Sequence, residues 1–255
     1  MARYQIILAY DGTEFRGYQR QAAHLGGRTV QGVFERALQR IGWSGGSSLA
    51  AGRTDTGVHA SGQVVAFDLD WKHHRQDLQL ALNANLPPDV AVREVRLAKP
   101  DFHPRYDAIS RRYRYQIFCQ AVRDPLQERY AWRVWPAVDL TRMSVATQDL
   151  LGTHDFAAFG TPPRSGGSTV RSVSQAAWQV KTSGWTFEVT ADAFLYRMVR
   201  RLVYSLVAIG QGKLELHTIR ELLDGGAQTP VQGVAPSHGL TLVEVVYPSA
   251  CVLEA

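Results

Sequence analysis

Apolar residues in the first hundred positions recur at spacings that predict two helices and three strands. Residues 29–41 place apolar side chains on one helical face, and Thr29 is suited to cap the start of that helix. A shorter helix is predicted over residues 78–86, where Pro87 and Pro88 end it. Apolar runs bounded by turn residues predict strands over residues 3–9, 62–69 and 90–97.

The second half of the chain repeats this alternation of strands and helices. Helices are predicted over residues 140–151, 197–209 and 219–224, and the middle one is the most apolar. Strands are predicted over residues 112–119, 173–180, 185–191 and 240–247, and the Gly-, Pro- and Ser-rich residues 160–168 predict a loop. Both halves mix the two element types, so we expect an α/β or α+β protein whose sheets are covered on one face.

A Pro-containing connection near residues 100–110 predicts a boundary between two parts of the chain. Pro100 and Pro104 each restrict the residue before them to extended conformations, which disfavours a continuous helix there. The 255 residues are enough for one large domain or two modest ones. We therefore expect an N-terminal subdomain over residues 1–105 and a C-terminal subdomain over residues 106–255.

The charge of the chain is positive and is carried almost entirely by arginine. The formal net charge is +5, and lysine occurs only at positions 72, 99, 181 and 213. Arginine pairs bidentately with phosphate and stacks on bases, so this composition suits a polyanionic substrate such as a nucleic acid. Arginine content that reflects genome composition or thermal habit is the alternative that charge alone leaves open.

Several common chemistries lack their sequence signatures. The chain has no Gly-x-x-x-x-Gly-Lys-Ser/Thr loop, no Gly-x-Gly-x-x-Gly after a strand and no Gly-x-Ser-x-Gly elbow. The pairs His73–His74 and His154–Asp155 have no second set of ligands at metal-site spacing. Cys119 and Cys251 show neither zinc-type spacing nor a disulfide framework. We expect chemistry without a metal or a nucleotide cofactor.

The apolar runs of the chain are short compared with a membrane span. None approaches the ~20 residues that a transmembrane helix needs, and the first residues read as a strand and not as a signal peptide. We therefore expect a cytoplasmic protein without a membrane segment.

The segment Ala51-Gly-Arg-Thr-Asp-Thr-Gly-Val-His-Ala60 reads as a polar turn between a Gly/Ser-rich stretch and a strand. Asp and Gly are common in turns for backbone reasons, so the residues alone favour a structural role for Asp55. Arg53 two residues away could keep that carboxylate ionised, His59 follows, and catalytic residues concentrate in loops at strand ends. A catalytic role therefore stands beside the structural one.

The same segment resembles the signature of the tRNA pseudouridine synthase A (TruA) family, and further blocks of that family occur in order along the chain, before and after this segment. They are Tyr10-Asp-Gly-Thr-Glu-Phe-Arg-Gly-Tyr-Gln19, Thr29-Val-Gln31, Asn83-Ala-Asn-Leu-Pro87, Asp101-Phe-His-Pro-Arg105, Arg111-Arg-Tyr-Arg-Tyr115, Gly152-Thr-His-Asp-Phe156, Met198-Val-Arg200 and Ala235-Pro-Ser-His-Gly-Leu240. Two positions depart from the pattern: Tyr18 replaces the usual Trp, and Tyr204 stands where the family usually has Gly.

The resemblance implies an enzyme that isomerises uridine to pseudouridine in tRNA without a cofactor. It assigns catalysis to Asp55, and it places the active-site arginine at Arg200, for which we hypothesise an ion pair with Asp55. It assigns stacking on the target uracil to Tyr113. Position alone would not distinguish Tyr113 from Tyr115, because both lie on the same face of a strand. Arg53 is expected to contribute to substrate binding. Without the resemblance, Arg200 would be interpreted as a solvent-exposed helix residue, and Tyr113 and Tyr115 as residues that pack within a sheet.

The resemblance also implies a pseudouridine-synthase fold, in which two similar α/β halves with antiparallel or mixed sheets flank a basic cleft. It implies a homodimer and targets at positions 38 to 40 of the anticodon arm. Phosphate contacts are expected from arginines in or beside the motif blocks, namely Arg16, Arg20, Arg111, Arg112 and Arg197. Two alternatives stay open: an RNA-binding protein without activity, and a hydrolase of nucleosides or nucleotides.

Overall fold

The computed structural model describes residues 1–21, 26–182, 184–225 and 231–253. Two compact units make up the chain, Met1–Ile109 with Leu242–Ala255, and Ser110–Thr241. Within this part of the chain, five α-helices and eleven strands form. The helices are α1 (Val30–Arg40), α2 (Arg75–Asn85), α3 (Leu140–Gln148), α4 (Met198–Gly210) and α5 (Thr218–Leu223). The strands are β1 (Ala2–Tyr10), β2 (Leu49–Ala50), β3 (His59–Leu69), β4 (Val90–Ala98), β5 (Ser110–Cys119), β6 (Trp132–Val134), β7 (Gly152–Asp155), β8 (Val170–Lys181), β9 (Gly184–Ala191), β10 (Leu240–Val246) and β11 (Val252–Leu253).

The first unit is built around strand β1. This strand pairs antiparallel with β3 on one side and with β4 on the other, while β11 extends the sheet beyond β4 and β2 pairs with β3. Helix α1 buries Val30, Val33, Phe34, Ala37 and Leu38, which are its apolar face. Apolar side chains of β1, such as Ile6 and Leu8, are fully buried. The burial of these apolar faces is what drives the unit to fold.

The second unit is a sheet with helices packed on it. Strands β5, β9, β8 and β7 pair antiparallel in that order, and β6 runs parallel to β5. Helix α3 is joined to β8 where the Trp178 indole N–H donates to Thr147 Oγ1 at 3.1 Å. Helix α4 is buried along most of its length, as its apolar sequence predicts. The expected α+β class is confirmed in these two units.

The boundaries of several elements differ from the sequence-based expectation. Thr29 caps α1 as predicted, since its hydroxyl accepts the Gly32 N–H at 3.3 Å. Helix α2 begins at Arg75 and not at residue 78, because the Asp77 carboxylate accepts the His74 N–H at 3.0 Å and stabilises the first turn. Helix α3 ends at Gln148 and not at residue 151. Strands β2, β6, β7 and β11 were not predicted, since two to four residues carry no readable alternation.

The end of the chain joins the first unit. Leu242–Ala255 belongs with Met1–Ile109, whereas the sequence placed all residues after 105 in one C-terminal subdomain. The strand β10 lies next to β3, and the Ile109 N–H donates to the Val246 carbonyl at 2.8 Å. Such a return of the chain depends on long-range pairing, which a local reading of composition does not detect.

Candidate active site

Asp55 begins a tight turn that leads directly into strand β3. The Val58 N–H donates to the Asp55 carbonyl at 3.1 Å, which closes the turn. Gly57 is its third residue and has φ of 76°, a conformation that side chains disfavour. Strand β3 then begins at His59, three residues earlier than predicted, because Ala60 already pairs with Tyr10. The half-buried Asp55 side chain thus lies at the start of a fixed turn.

The loop that follows β1 holds this turn by its backbone. The Tyr18 N–H donates to the Thr54 carbonyl at 3.0 Å, and the Gly57 N–H donates to the Phe15 carbonyl at 3.3 Å. Two hydrogen bonds therefore bracket Asp55, one before it and one after it. The sequence motif of residues 10–19 is therefore in contact with the motif of residues 51–60 that contains Asp55.

Buried side chains next to Asp55 also stabilise the turn. The Tyr10 hydroxyl lies 2.8 Å from Thr54 Oγ1, and both residues are buried. Burial raises the pKa of Tyr10 to about 12, while hydrogen bonds with Thr54 and Gln63 act in the opposite direction. The phenol is therefore neutral and can serve as a hydrogen-bond partner throughout the physiological pH range.

His59 supports the same region from the first residue of β3. His59 is 5% exposed, and its Nδ1 lies 3.0 Å from the Gly12 nitrogen and 3.1 Å from Asp11 Oδ1. An unprotonated Nδ1 accepts from Gly12, whereas a protonated Nδ1 donates to Asp11. In both forms, His59 is tied to the turn after β1.

The three predicted arginines of the first unit differ in their surroundings. Arg53 is exposed. The exposed Arg16 guanidinium lies 3.4 Å from the Gly26 carbonyl. The Arg20 guanidinium lies 3.1 Å from Oε2 of Glu35, a carboxylate that is 2% exposed. Because a buried carboxylate needs a charge partner, Arg20 has a structural role that the sequence did not suggest.

The two candidate tyrosines of β5 have different environments in the second unit. Tyr115 is fully buried, and its hydroxyl donates to the Pro236 carbonyl at 2.7 Å. Tyr113 lies on the same strand face but is half-buried, and its ring meets Phe194 edge-on at 5.0 Å between centroids. Of the two, only Tyr113 is partly exposed. Phe194 was missed in the sequence because it lies between predicted elements.

Arg200, in the first turn of α4, is anchored to the segment before β10. Its Nε–H donates to the Ala235 carbonyl at 2.7 Å, and its own carbonyl accepts the Ala235 N–H at 3.1 Å. Burial raises the pKa of Tyr115 well above its ordinary value, and the positive charge of Arg200 opposes that rise. Arg200 and Tyr115 therefore contact adjacent carbonyls, those of Ala235 and Pro236, and lie in one neighbourhood.

Arg197 precedes α4 in a strained conformation. Its φ is 62°, in the left-handed region, and it is the only non-glycine residue with positive φ in the described part of the chain. Its guanidinium lies 4.9 Å from the ring centroid of Tyr196. Strain of this kind concentrates at functional positions, where surrounding contacts enforce it.

Arg111 and Arg112 at the start of β5 are engaged with neighbouring groups. The Arg111 guanidinium donates to the Asp192 carbonyl at 2.6 Å, and the Arg112 guanidinium lies 3.7 Å from the Glu188 carboxylate. Side chains alternate between the two faces of a strand, so Arg112 lies on the opposite face from Tyr113. Arg112 and Tyr113 are therefore not brought together on one face of β5.

These arrangements provide two sets of groups suited to chemistry on a nucleotide. The first unit presents a carboxylate on a rigid turn, and the second presents an accessible aromatic ring and an anchored guanidinium. Among the residues that the structure describes, no three side chains of His, Cys, Asp or Glu are grouped as metal ligands. No helix of that same part of the chain is long and apolar enough to cross a membrane.

Comparison with known proteins identifies the family. A family model described as tRNA pseudouridine synthase matches residues 6–107 and 146–248. The tRNA pseudouridine synthase A of Shouchella clausii is 40% identical over 97% of this chain and 94% of its own length. Those of Limosilactobacillus fermentum and Chloroflexus aurantiacus are 38% and 39% identical, over 98% and 97% of this chain and 97% and 89% of their own lengths. This chain belongs to the tRNA pseudouridine synthase family.

Proposed function

We propose that this protein converts uridine to pseudouridine in tRNA, with Asp55 as the catalytic carboxylate. The observation that carries the proposal is the turn at Asp55, which two backbone hydrogen bonds from the N-terminal loop hold in place. That turn lies within the first stretch of the family match. A preorganised carboxylate is what a reaction at a single nucleotide requires.

The isomerisation breaks the bond between N1 of uracil and C1′ of ribose and forms a bond between C5 and C1′. The hydrogen on C5 leaves to solvent, and N1 takes up a proton, so no atom is gained or lost overall. Asp55 acts in its ionised form, whether it attacks the sugar, attacks the base or abstracts a ribose proton. No oxidant, reductant or co-substrate enters this balance.

Arg200 and Tyr113 complete the proposed site. From the family resemblance, we assign to Arg200 the role of charge partner of the catalytic carboxylate during the reaction. Tyr113 stacks on the uracil, a role that its partly accessible ring allows and that the buried Tyr115 cannot take. Stacking of one base on an aromatic side chain contributes about 1–3 kcal/mol.

Binding of tRNA has to offset the cost of turning the uridine out of its stack, which is a few kcal/mol. We assign phosphate contacts to the exposed Arg16, Arg53 and Arg197 before the half-buried Arg111 and Arg112 and before Arg20, whose guanidinium pairs with the buried Glu35 carboxylate. Binding that depends on phosphate contacts weakens as salt rises. The substrate is the anticodon arm at positions 38 to 40, and the enzyme acts in the cytoplasm as a homodimer.

The test uses tRNA transcripts that carry tritium at C5 of uracil, since bonding through C5 releases that label. Release without added metal or nucleotide supports the synthase, and release should stop when cytidine replaces uridine at positions 38, 39 and 40. Stable binding of the labelled tRNA without release would show an RNA-binding protein instead. Sedimentation of the protein alone tests the dimer.

A further inference from the structure

Tyr204 is an aromatic residue on α4, one turn after Arg200. Residues four apart on a helix lie on the same face, so Tyr204 follows Arg200 along the surface of α4. Its side chain is 38% exposed, so most of the ring is covered by neighbouring groups.

The ring of Tyr204 packs against the backbone of Gly233. A Cβ on residue 233 would lie 2.0 Å from both Cε1 and Cζ of Tyr204. Any side chain at position 233 would therefore force the Tyr204 ring to move from its present position. Positions 204 and 233 are therefore coupled, because the Tyr204 ring occupies the space that a side chain at position 233 would need.

The segment that contains Gly233 also carries the anchor of Arg200. Ala235, two residues later, is fully buried and exchanges two hydrogen bonds with Arg200, one from Nε and one through the backbone. The next residue, Pro236, accepts the Tyr115 hydroxyl. Contacts with Tyr204, Arg200 and Tyr115 thus fix residues 233–236.

We propose that Tyr204 is a positioning residue for Arg200. Its ring presses on Gly233 and holds the Ala235 carbonyl where it accepts the Arg200 Nε–H, and this leaves the rest of the guanidinium in a fixed orientation. The inference rests on the proposed function of Arg200 and adds a residue that acts through it. Arg200 is expected to act on turnover, so the effect of Tyr204 is on kcat and not on tRNA affinity.

The first experiment compares Tyr204→Gly and Tyr204→Phe with wild type in pseudouridine formation and in tRNA binding. Tyr204→Gly should lower kcat by on the order of tenfold with Kd changed by less than about twofold, because small misplacements of a reacting group are costly. Tyr204→Phe keeps the ring and should retain kcat. Val145→Gly, which places glycine at an exposed position inside helix α3 of the same unit, is the matched control and should leave both values unchanged.

The second experiment asks whether Tyr204 acts through Arg200. In a background of Arg200→Lys, which removes the Nε donor, Tyr204→Gly should cause no further loss of kcat, since residues in one network are not additive. A full additional loss would overturn the proposal. An unchanged kcat in Tyr204→Gly with only a lower Tm would also overturn it. So would a loss of tRNA affinity that matches the loss of kcat/KM, because this would mean that Tyr204 contacts RNA directly.

The third experiment separates this inference from the proposed function. Gly233→Ala should destabilise the protein in urea, and Tyr204→Gly combined with Gly233→Ala should be less destabilised than Gly233→Ala alone, because removal of the ring makes room for the new Cβ. Additive losses would contradict the coupling. A wild-type protein that forms no pseudouridine would overturn the proposed function but would leave this stability result intact.

Discussion

Gly17 lies directly against the peptide that joins Thr54 to Asp55. A Cβ on Gly17 would come within 2.9 Å of the Thr54 carbonyl oxygen and 3.4 Å of the Asp55 carbonyl carbon. The φ of Gly17 is 83°, so both its conformation and its surroundings require glycine. The N-terminal loop therefore sets the position of Asp55 by direct contact of backbone on backbone.

Replacement of Gly17 by Ala is expected to move the Asp55 turn. The left-handed conformation alone costs about 1–2 kcal/mol for a residue with a Cβ, and the clash with Thr54 adds to that cost. We expect lower stability in urea and a loss of kcat on the order of tenfold.

Gly42→Ala is the matched control for that variant. Gly42 also has positive φ, at 94°, but no atom lies within 4 Å of the position of a Cβ. It should show the conformational cost without the loss of turnover. Equal effects of the two variants on kcat would contradict a specific role of the Gly17–Thr54 contact.

The hydrogen bond between Tyr10 and Thr54 is expected to stabilise the folded protein, because both hydroxyl groups are buried and water does not replace a lost partner. Thr54→Val removes one partner and leaves the buried phenol with fewer hydrogen bonds, at a cost of about 1–3 kcal/mol. The double variant with Tyr10→Phe removes both groups and should recover part of that loss. Urea denaturation of the two single variants and the double variant measures this, and strictly additive losses would show that the bond contributes nothing.

The pKa of Tyr10 predicts a loss of stability at alkaline pH. Its ordinary value is 10, and burial raises it to about 12 in the folded protein. Below pH 10 both states hold the proton; between pH 10 and 12 the unfolded state loses it first, so stability falls as pH rises. The loss from this group reaches about 2 to 3 kcal/mol.

Denaturation in urea at several pH values between 9 and 12, chosen to span the two pKa values, tests this expectation. Tyr10→Phe should show a shallower decline of stability with pH than wild type. Burial also raises the pKa of Tyr18 and Tyr115, so some decline remains in the variant. An identical pH dependence in wild type and Tyr10→Phe would show that Tyr10 titrates at its ordinary pKa.

Tyr113 is expected to act on substrate binding and not on folding. Tyr113→Leu should lower kcat/KM by an amount that corresponds to about 1–3 kcal/mol of lost stacking, with a small change in Tm. Tyr115→Leu should instead lower Tm strongly, since Tyr115 is fully buried and hydrogen-bonded. Steady-state kinetics and thermal melts of both variants distinguish them, and the reverse pattern would reassign the stacking role.

Part of this structure could be predicted from the sequence because local patterns encode it. The face of α1 and its Thr29 cap follow from apolar spacing and from one side-chain oxygen, and both were predicted. The earlier start of α2 depends on the Asp77 carboxylate, which stabilises residues that lack apolar periodicity. The short strands and the return of Leu242–Ala255 to the first unit depend on pairing partners far along the chain.

The candidate site was less predictable, because its side chains gain their roles from neighbours in space. The residues around Asp55 predicted only a polar turn, and family resemblance supplied its chemistry. The choice between Tyr113 and Tyr115 depends on burial, which alternation along a strand does not reveal. The pairing of Arg20 with Glu35 and the contact of Tyr204 with Gly233 likewise depend on distant residues.

The central claim is that Asp55 carries out the isomerisation. The most direct test is single-turnover release of tritium from C5-labelled tRNA by wild type and by Asp55→Asn, with tRNA affinity measured in parallel. We expect wild type to release the label without metal or nucleotide, and Asp55→Asn to bind tRNA with near-normal affinity and release none. Near-normal release by Asp55→Asn would contradict the assignment of catalysis to this carboxylate.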